Sequence, residues 1–113
     1  MKRRYTIGFF INEIDGDFQT LFWTSIRKAA KKWDVNLIVY EGRILFNTDN
    51  IGVEHNIVYK LADGLRLDGL IIATGTLINK VSHDCFIDYI KAFEGIPMVS
   101  IYENIPGIPS ILV

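Results

Sequence analysis

The sequence predicts an α/β fold: a three-layer, doubly wound parallel sheet with strand order 2-1-3-4-5. Three observations lead there. Short apolar runs alternate with stretches of helical periodicity in the order βαβαβαββ, and regular alternation implies parallel strands joined by helical crossovers. The runs Tyr5–Ile11 and Leu70–Ala73 are apolar at consecutive positions, the pattern of strands covered on both faces. Right-handed crossovers then place helices on both sides of an open sheet.

Each element has its own signal. Tyr5–Ile11 is the first strand and runs into the turn cluster Asn12–Asp17, where Asp15 or Asp17 is placed to cap the helix that follows. From Phe18 to Trp33 the apolar residues are Phe18, Leu21, Phe22, Ile26, Ala29, Ala30 and Trp33, the spacing of a helix with one buried face. Lys28, Lys31 and Lys32 fall in its last turns, where cations suit the helix dipole. Trp23 lies at the edge of that apolar arc and reads first as a rim residue packed on its own domain, second as a partner contact.

Asn36–Tyr40 is the second strand, followed by a long polar connection, Glu41–Gly52. A second helix is expected over Val53–Leu65, burying Ile57, Val58, Leu61, Ala62 and Leu65. Leu70–Ala73 is the third strand. A third helix, Asp84–Phe93, buries Phe86, Ile87, Ile90 and Phe93; Met98–Ile101 and Ser110–Val113 are the last strands.

With 113 residues the chain holds one domain with one core. A net charge of −1 disfavours nucleic acid as a partner, and the basic run Lys2-Arg3-Arg4 reads as a solvated start. The single cysteine, Cys85, excludes an internal disulfide and fits a reducing compartment. The apolar stretch Ile7–Ile11 is too short for a secretion signal, and no apolar run reaches the ~20 residues that span a bilayer. A soluble cytoplasmic protein is expected, without membrane or cofactor.

In such sheets ligands bind beyond the carboxyl ends of the strands, at the switch point between the first and third. That rule selects the loops Asn12–Phe18, Thr74–Lys80 and Tyr102–Pro106. A dinucleotide would need a glycine-rich turn after the first strand, whereas Asn12–Asp17 holds Glu13, Asp15 and Asp17. A phospho-receiver domain would need an aspartate ending the third strand, where this chain has Ala73-Thr74-Gly75-Thr76. His83 and Cys85 lack zinc spacing, and His55 falls on a solvent-side helix position. Thr76 and Ser100 lack a nucleophile turn and a placed base, so no enzyme site is expected. What remains are Asn12, Asp15, Asp17, Thr74, Thr76 and Glu103 as hydrogen-bonding groups, with Phe18 and Tyr102 as flat apolar faces. Such a mixture suits a small polyhydroxylated ligand such as a sugar.

The segments Ile7-Gly8-Phe9-Phe10-Ile11, Asp68-Gly69-Leu70-Ile71-Ile72, Ile96-Pro97-Met98-Val99-Ser100-Ile101 and Pro109-Ser110-Ile111-Leu112-Val113 together resemble the N-terminal lobe of lactose-repressor-type, periplasmic-binding-protein-like (type I) sensor domains. Ala73–Leu77 and Glu103–Val113 are most similar to a subgroup fused to signalling outputs such as diguanylate cyclase or histidine kinase modules. The resemblance implies a flavodoxin-like strand order and ligand contacts at Asp15, Phe18, Thr74, Thr76, Tyr102 and Glu103. It also implies no catalysis, an open–closed change read by an attached regulator of transcription or signalling, and a homodimer. Residues 1–113 would be that lobe alone, with Ser110–Val113 as the strand crossing towards a second lobe. Two other readings stay open: a non-catalytic dimerisation module derived from such a sensor, with Trp23 and the Ser110–Val113 edge as contacts, and a small α/β enzyme of unrecognised type.

Overall fold

The computed structural model describes residues 4–43, 45, 57–64, 66–78 and 83–111, with the side chains of 18, 63, 64 and 83–85 excepted. The expected architecture is present. Strands β1 (Thr6–Ile11), β2 (Asn36–Glu41), β3 (Gly69–Ile72), β4 (Met98–Ile101) and β5 (Ser110–Ile111) form one sheet in the order β2-β1-β3-β4-β5. All four pairings are parallel, with Ile7 opposite both Leu37 and Gly69, and Ile71 opposite Val99. Helix α1 (Asp17–Lys32) covers one face. A 3-10 helix (Ile57–Gly64) and α3 (His83–Ile90), which ends in a 3-10 turn (Lys91–Phe93), cover the other. A short helix α2 (Thr74–Leu77) leaves the end of β3, where the sequence suggests a plain loop. The expectations at Val53–Asn56, Leu65, His55, Asn79–Lys80 and Leu112–Val113 lie outside the described residues.

The strand pleat sends successive side chains to opposite faces. Phe10, Leu70 and Ile72 therefore join Tyr59, Phe86, Ile90 and Phe93 in the larger core. Phe9, Ile11 and Ala73 face α1, where Phe22, Trp23 and Ile26 pack on them. The Trp23 ring lies nearly parallel to Phe9, with centroids 6.4 Å apart and planes at 9°, so Trp23 is a rim residue of its own domain.

Three expectations need correction. Leu21, Ala29 and Trp33, assigned to the buried arc of α1, are exposed, Leu21 to 74% and Trp33 to 72%. The helix is turned so that Phe22 and Trp23 meet Phe9, which carries the flanking positions into solvent. Neither Asp15 nor Asp17 caps α1: Gly16 is the N-cap, without a side-chain cap bond, and Asp17 contributes charge to the first turn. In the second helical segment Ile57 and Leu61 are exposed, whereas Tyr59 and Ala62 are fully buried. A 3-10 helix repeats every three residues and eclipses positions three apart, so its buried stripe runs through 59 and 62.

Candidate functional site

The carboxyl edge of the sheet brings together residues far apart in the chain. Asn12 follows β1 directly, and its backbone N–H donates to Thr76 Oγ1 at 3.3 Å. Thr76 in turn donates to the carbonyl of Ala73 at 2.8 Å, which orients its side chain across the turn from β3 into α2. The Asn12 side-chain oxygen accepts from the Glu13 N–H at 2.8 Å and from Gln19 Nε2 at 3.3 Å. The loop after β1 is thereby tied to α1 and to the loop after β3. Thr20 Oγ1 adds a bond to the Ile14 carbonyl at 2.9 Å, and Ile14 N–H donates to Glu41 Oε1 at 3.3 Å.

Tyr102 stands at the end of β4 in a left-handed backbone conformation, φ +73°. A bulky side chain adopts that conformation at a cost of about 1–3 kcal/mol, so surrounding contacts must hold it. Several do. Its N–H donates to the Ile111 carbonyl at 2.9 Å, and its ring lies 5.3 Å from that of Phe22 on α1. A Cβ at Gly75 would come within 2.7 Å of Tyr102 Cβ, so only glycine at 75 admits this approach. Beneath it runs a chain of hydroxyls: Ser100 Oγ donates to the Glu103 carbonyl at 2.9 Å and lies 2.6 Å from Thr74 Oγ1. Thr74 Oγ1 also lies 3.4 Å from the Ile72 carbonyl, and either hydroxyl can be the donor between Thr74 and Ser100. Desolvation pushes the Tyr102 phenol up from its ordinary value.

The end of β2 is held in a similar way. Tyr59, fully buried, places its hydroxyl 2.6 Å from the Arg43 carbonyl and 3.0 Å from the Ile11 carbonyl, and accepts from Gly42 N–H at 3.2 Å. A Cβ at Gly42 would meet the Tyr59 ring at 2.5 Å. Arg43, also left-handed at φ +63°, donates its N–H to the Asn12 carbonyl at 2.8 Å.

The six expected contact residues therefore divide. Thr76 and Tyr102 lie at the edge, half-buried, together with Asn12 and Glu103. Asp15 is exposed in the loop after β1, and the side chain of Phe18 is outside the described residues. Thr74 is fully buried, and its hydroxyl is engaged by Ser100. The short α2 turns it inwards, so it supports the edge from below. Sequence reasoning missed Gln19, Gly42, Arg43, Tyr59 and Gly75, and weighed Ser100 only as a nucleophile. The one usable signal was glycine directly after a strand, at Gly42, or flanked by threonines, at Gly75.

The edge can donate and accept hydrogen bonds around a small ligand with an aromatic ring at one side. Among the described residues no group of three or more His, Cys, Asp or Glu could hold a metal ion. Nor is any described helix long and apolar enough to cross a membrane. Set against protein-family models, curated proteins and solved structures, the chain matches none.

Proposed function

We propose that the chain is a ligand-sensing lobe, of the lactose-repressor-like kind its strand segments resemble, and that it receives a small polyhydroxylated molecule at the carboxyl edge of its sheet. The observation that supports this reading is the bond from Asn12, after β1, to Thr76, after β3, at the switch point between those strands, with Tyr102, after β4, closely approaching the neighbouring Gly75 and meeting Phe22 of α1. Asp15 and Glu103 add acceptors for hydroxyl protons, and the Tyr102 ring offers a face for a sugar ring to stack on. In this reading the lobe forms one wall of a cleft, and closure of a second lobe over the ligand shifts an open–closed equilibrium that an attached output reads. No catalytic step is part of it.

Saturation-transfer-difference NMR with a panel of aldopentoses and aldohexoses tests the proposal. Millimolar binding that Tyr102→Ala abolishes is the expected result, because one wall makes about half the contacts. The absence of signal from every sugar sinks the reading. Submicromolar binding by this chain contradicts the half-site.

A second reading, a dimerisation module, is favoured by one observation: Ile111 on β5, the last strand in the sheet order, is 57% exposed. An exposed apolar residue on an edge strand invites pairing with another chain. Light scattering at high concentration decides, since a monomer is incompatible with it.

A further inference from the structure

Among the described residues five have positive φ: Asp34, Arg43, Gly95, Tyr102 and Gly107. Two are glycines, for which the conformation is free. Asp34 ends α1, where Val35 N–H closes on the Ala30 carbonyl at 3.0 Å, and aspartate tolerates this backbone better than most residues. That leaves Arg43 and Tyr102. Neither gains from a left-handed backbone, and both follow the carboxyl ends of strands, on the edge already assigned to the ligand. Each is secured by a buried hydroxyl from below, Tyr59 at the Arg43 carbonyl and Ser100 at the carbonyl after Tyr102. The chain places a glycine at 42, yet at 43, where glycine would relieve the backbone, it places an arginine.

Arg43 is one hydrogen bond from Asn12, and Asn12 is one from Thr76. It is exposed, and no acid among the described residues pairs with its guanidinium. A guanidinium presents two parallel N–H donors, a fork that fits a carboxylate, a phosphate or the oxygens of two adjacent hydroxyls. The edge also carries Glu13, Asp15, Glu41 and Glu103, whose charge opposes an anionic ligand. Hydroxyls satisfy both kinds of group at once, accepting from the arginine and donating to the carboxylates.

Resting on the sensor reading above, we propose that Arg43 is a ligand-contacting residue of this edge, and that the ligand is a neutral sugar with vicinal hydroxyls rather than a sugar acid or sugar phosphate. The test compares wild type, Arg43→Gly, Arg43→Lys and the control Asp34→Gly. Binding is read by saturation-transfer-difference NMR with ribose, glucose, galactose and glucuronate, and stability by thermal melting. In Arg43→Gly the affinity for the bound neutral sugar falls about tenfold while the melting temperature rises by about 2–5 °C, because the backbone is relieved. Arg43→Lys keeps the charge but not the fork and restores only part of the binding. Asp34→Gly raises the melting temperature without changing binding. Unchanged affinity in Arg43→Gly overturns the assignment of Arg43 while leaving the sensor reading intact. A preference for glucuronate overturns the ligand class, and a lower melting temperature in Arg43→Gly overturns the strained-backbone premise. A wild type that binds no sugar removes the sensor reading, and the assignment of Arg43 with it.

Discussion

Away from α1, the sheet is covered by the 3-10 segment and α3, and Phe10, Tyr59 and Phe86 are all but sealed from solvent. Under α1, the buried residues are Phe9, Ile11 and Ala73, and the packing above them is a row of half-buried rings, Phe22 and Trp23 on Phe9. The same row continues from Phe22 to Tyr102 at the carboxyl edge. The thick face therefore secures the fold, while the thin face carries the aromatic contact that reaches the candidate site. If that division is right, damage to the two faces must read out differently.

The largest difference is expected from truncating one ring on each face. Phe10 meets Tyr40, Tyr59 and Phe93 with centroid distances of 4.9–5.3 Å, so Phe10→Ala should cost about 3–5 kcal/mol in urea denaturation. Phe22→Ala, at a half-buried position, should cost about 1–2 kcal/mol and loosen the Tyr102 ring. Equal losses from the two substitutions would break the comparison.

Alkali should attack the thick face first. Desolvation holds the Tyr59 phenol far above its ordinary value and pushes Tyr89, which packs on the same core, up to about 12. Because the folded-state values are raised, the associated stability is complete below pH 10 and is lost as pH rises from 10 towards about 12. Urea midpoints measured from pH 8 to 12 should stay level to about pH 10 and then fall. In Tyr89→Phe the fall should be shallower.

Two buried tyrosines on the thick face separate packing from hydrogen bonding. Tyr59 Oη bonds three backbone groups, whereas Tyr40 Oη is buried without a hydrogen-bond partner among the described residues. Tyr59→Phe should cost about 1–2 kcal/mol, since backbone groups at the end of β2 lose their partner. Tyr40→Phe removes an unsatisfied hydroxyl and should be neutral or slightly stabilising.

This contrast also explains how far the sequence could be read. Strand–helix alternation and the doubly buried runs are local patterns, and they located β1, α1 and β4 to within a residue of the observed bounds. The position rule for open α/β sheets led to Asn12, Thr76 and Tyr102. The roles of Tyr59, Ser100 and Arg43 stayed hidden because they depend on long-range bonds, 16 residues from Tyr59 to Arg43 and 26 from Thr74 to Ser100. They depend also on positive φ, which a non-glycine residue type does not announce. The 3-10 segment was misread because Ile57, Val58, Leu61 and Ala62 fit a 3.6-residue period while the chain follows a three-residue one.

The smallest expected effect sharpens the account of the thin face. Leu21 and Trp33 fit the helical period of α1, yet both are largely exposed. Trp33 lines a groove of about 260 Å³ with Ile7, Ile26, Ala30, Val35, Leu37 and Ile71 beneath the helix end, and Lys32 lies over its ring at 5.6 Å. A residue that buries little surface contributes little, whatever its hydrophobicity. Leu21→Gln and Trp33→Gln should each change stability by no more than about 0.5 kcal/mol, against a clear loss for Ile26→Gln on the same helix. A large loss from Trp33→Gln would mean that in solution the groove closes on that ring. The thin face would then be thicker than its exposed flank implies.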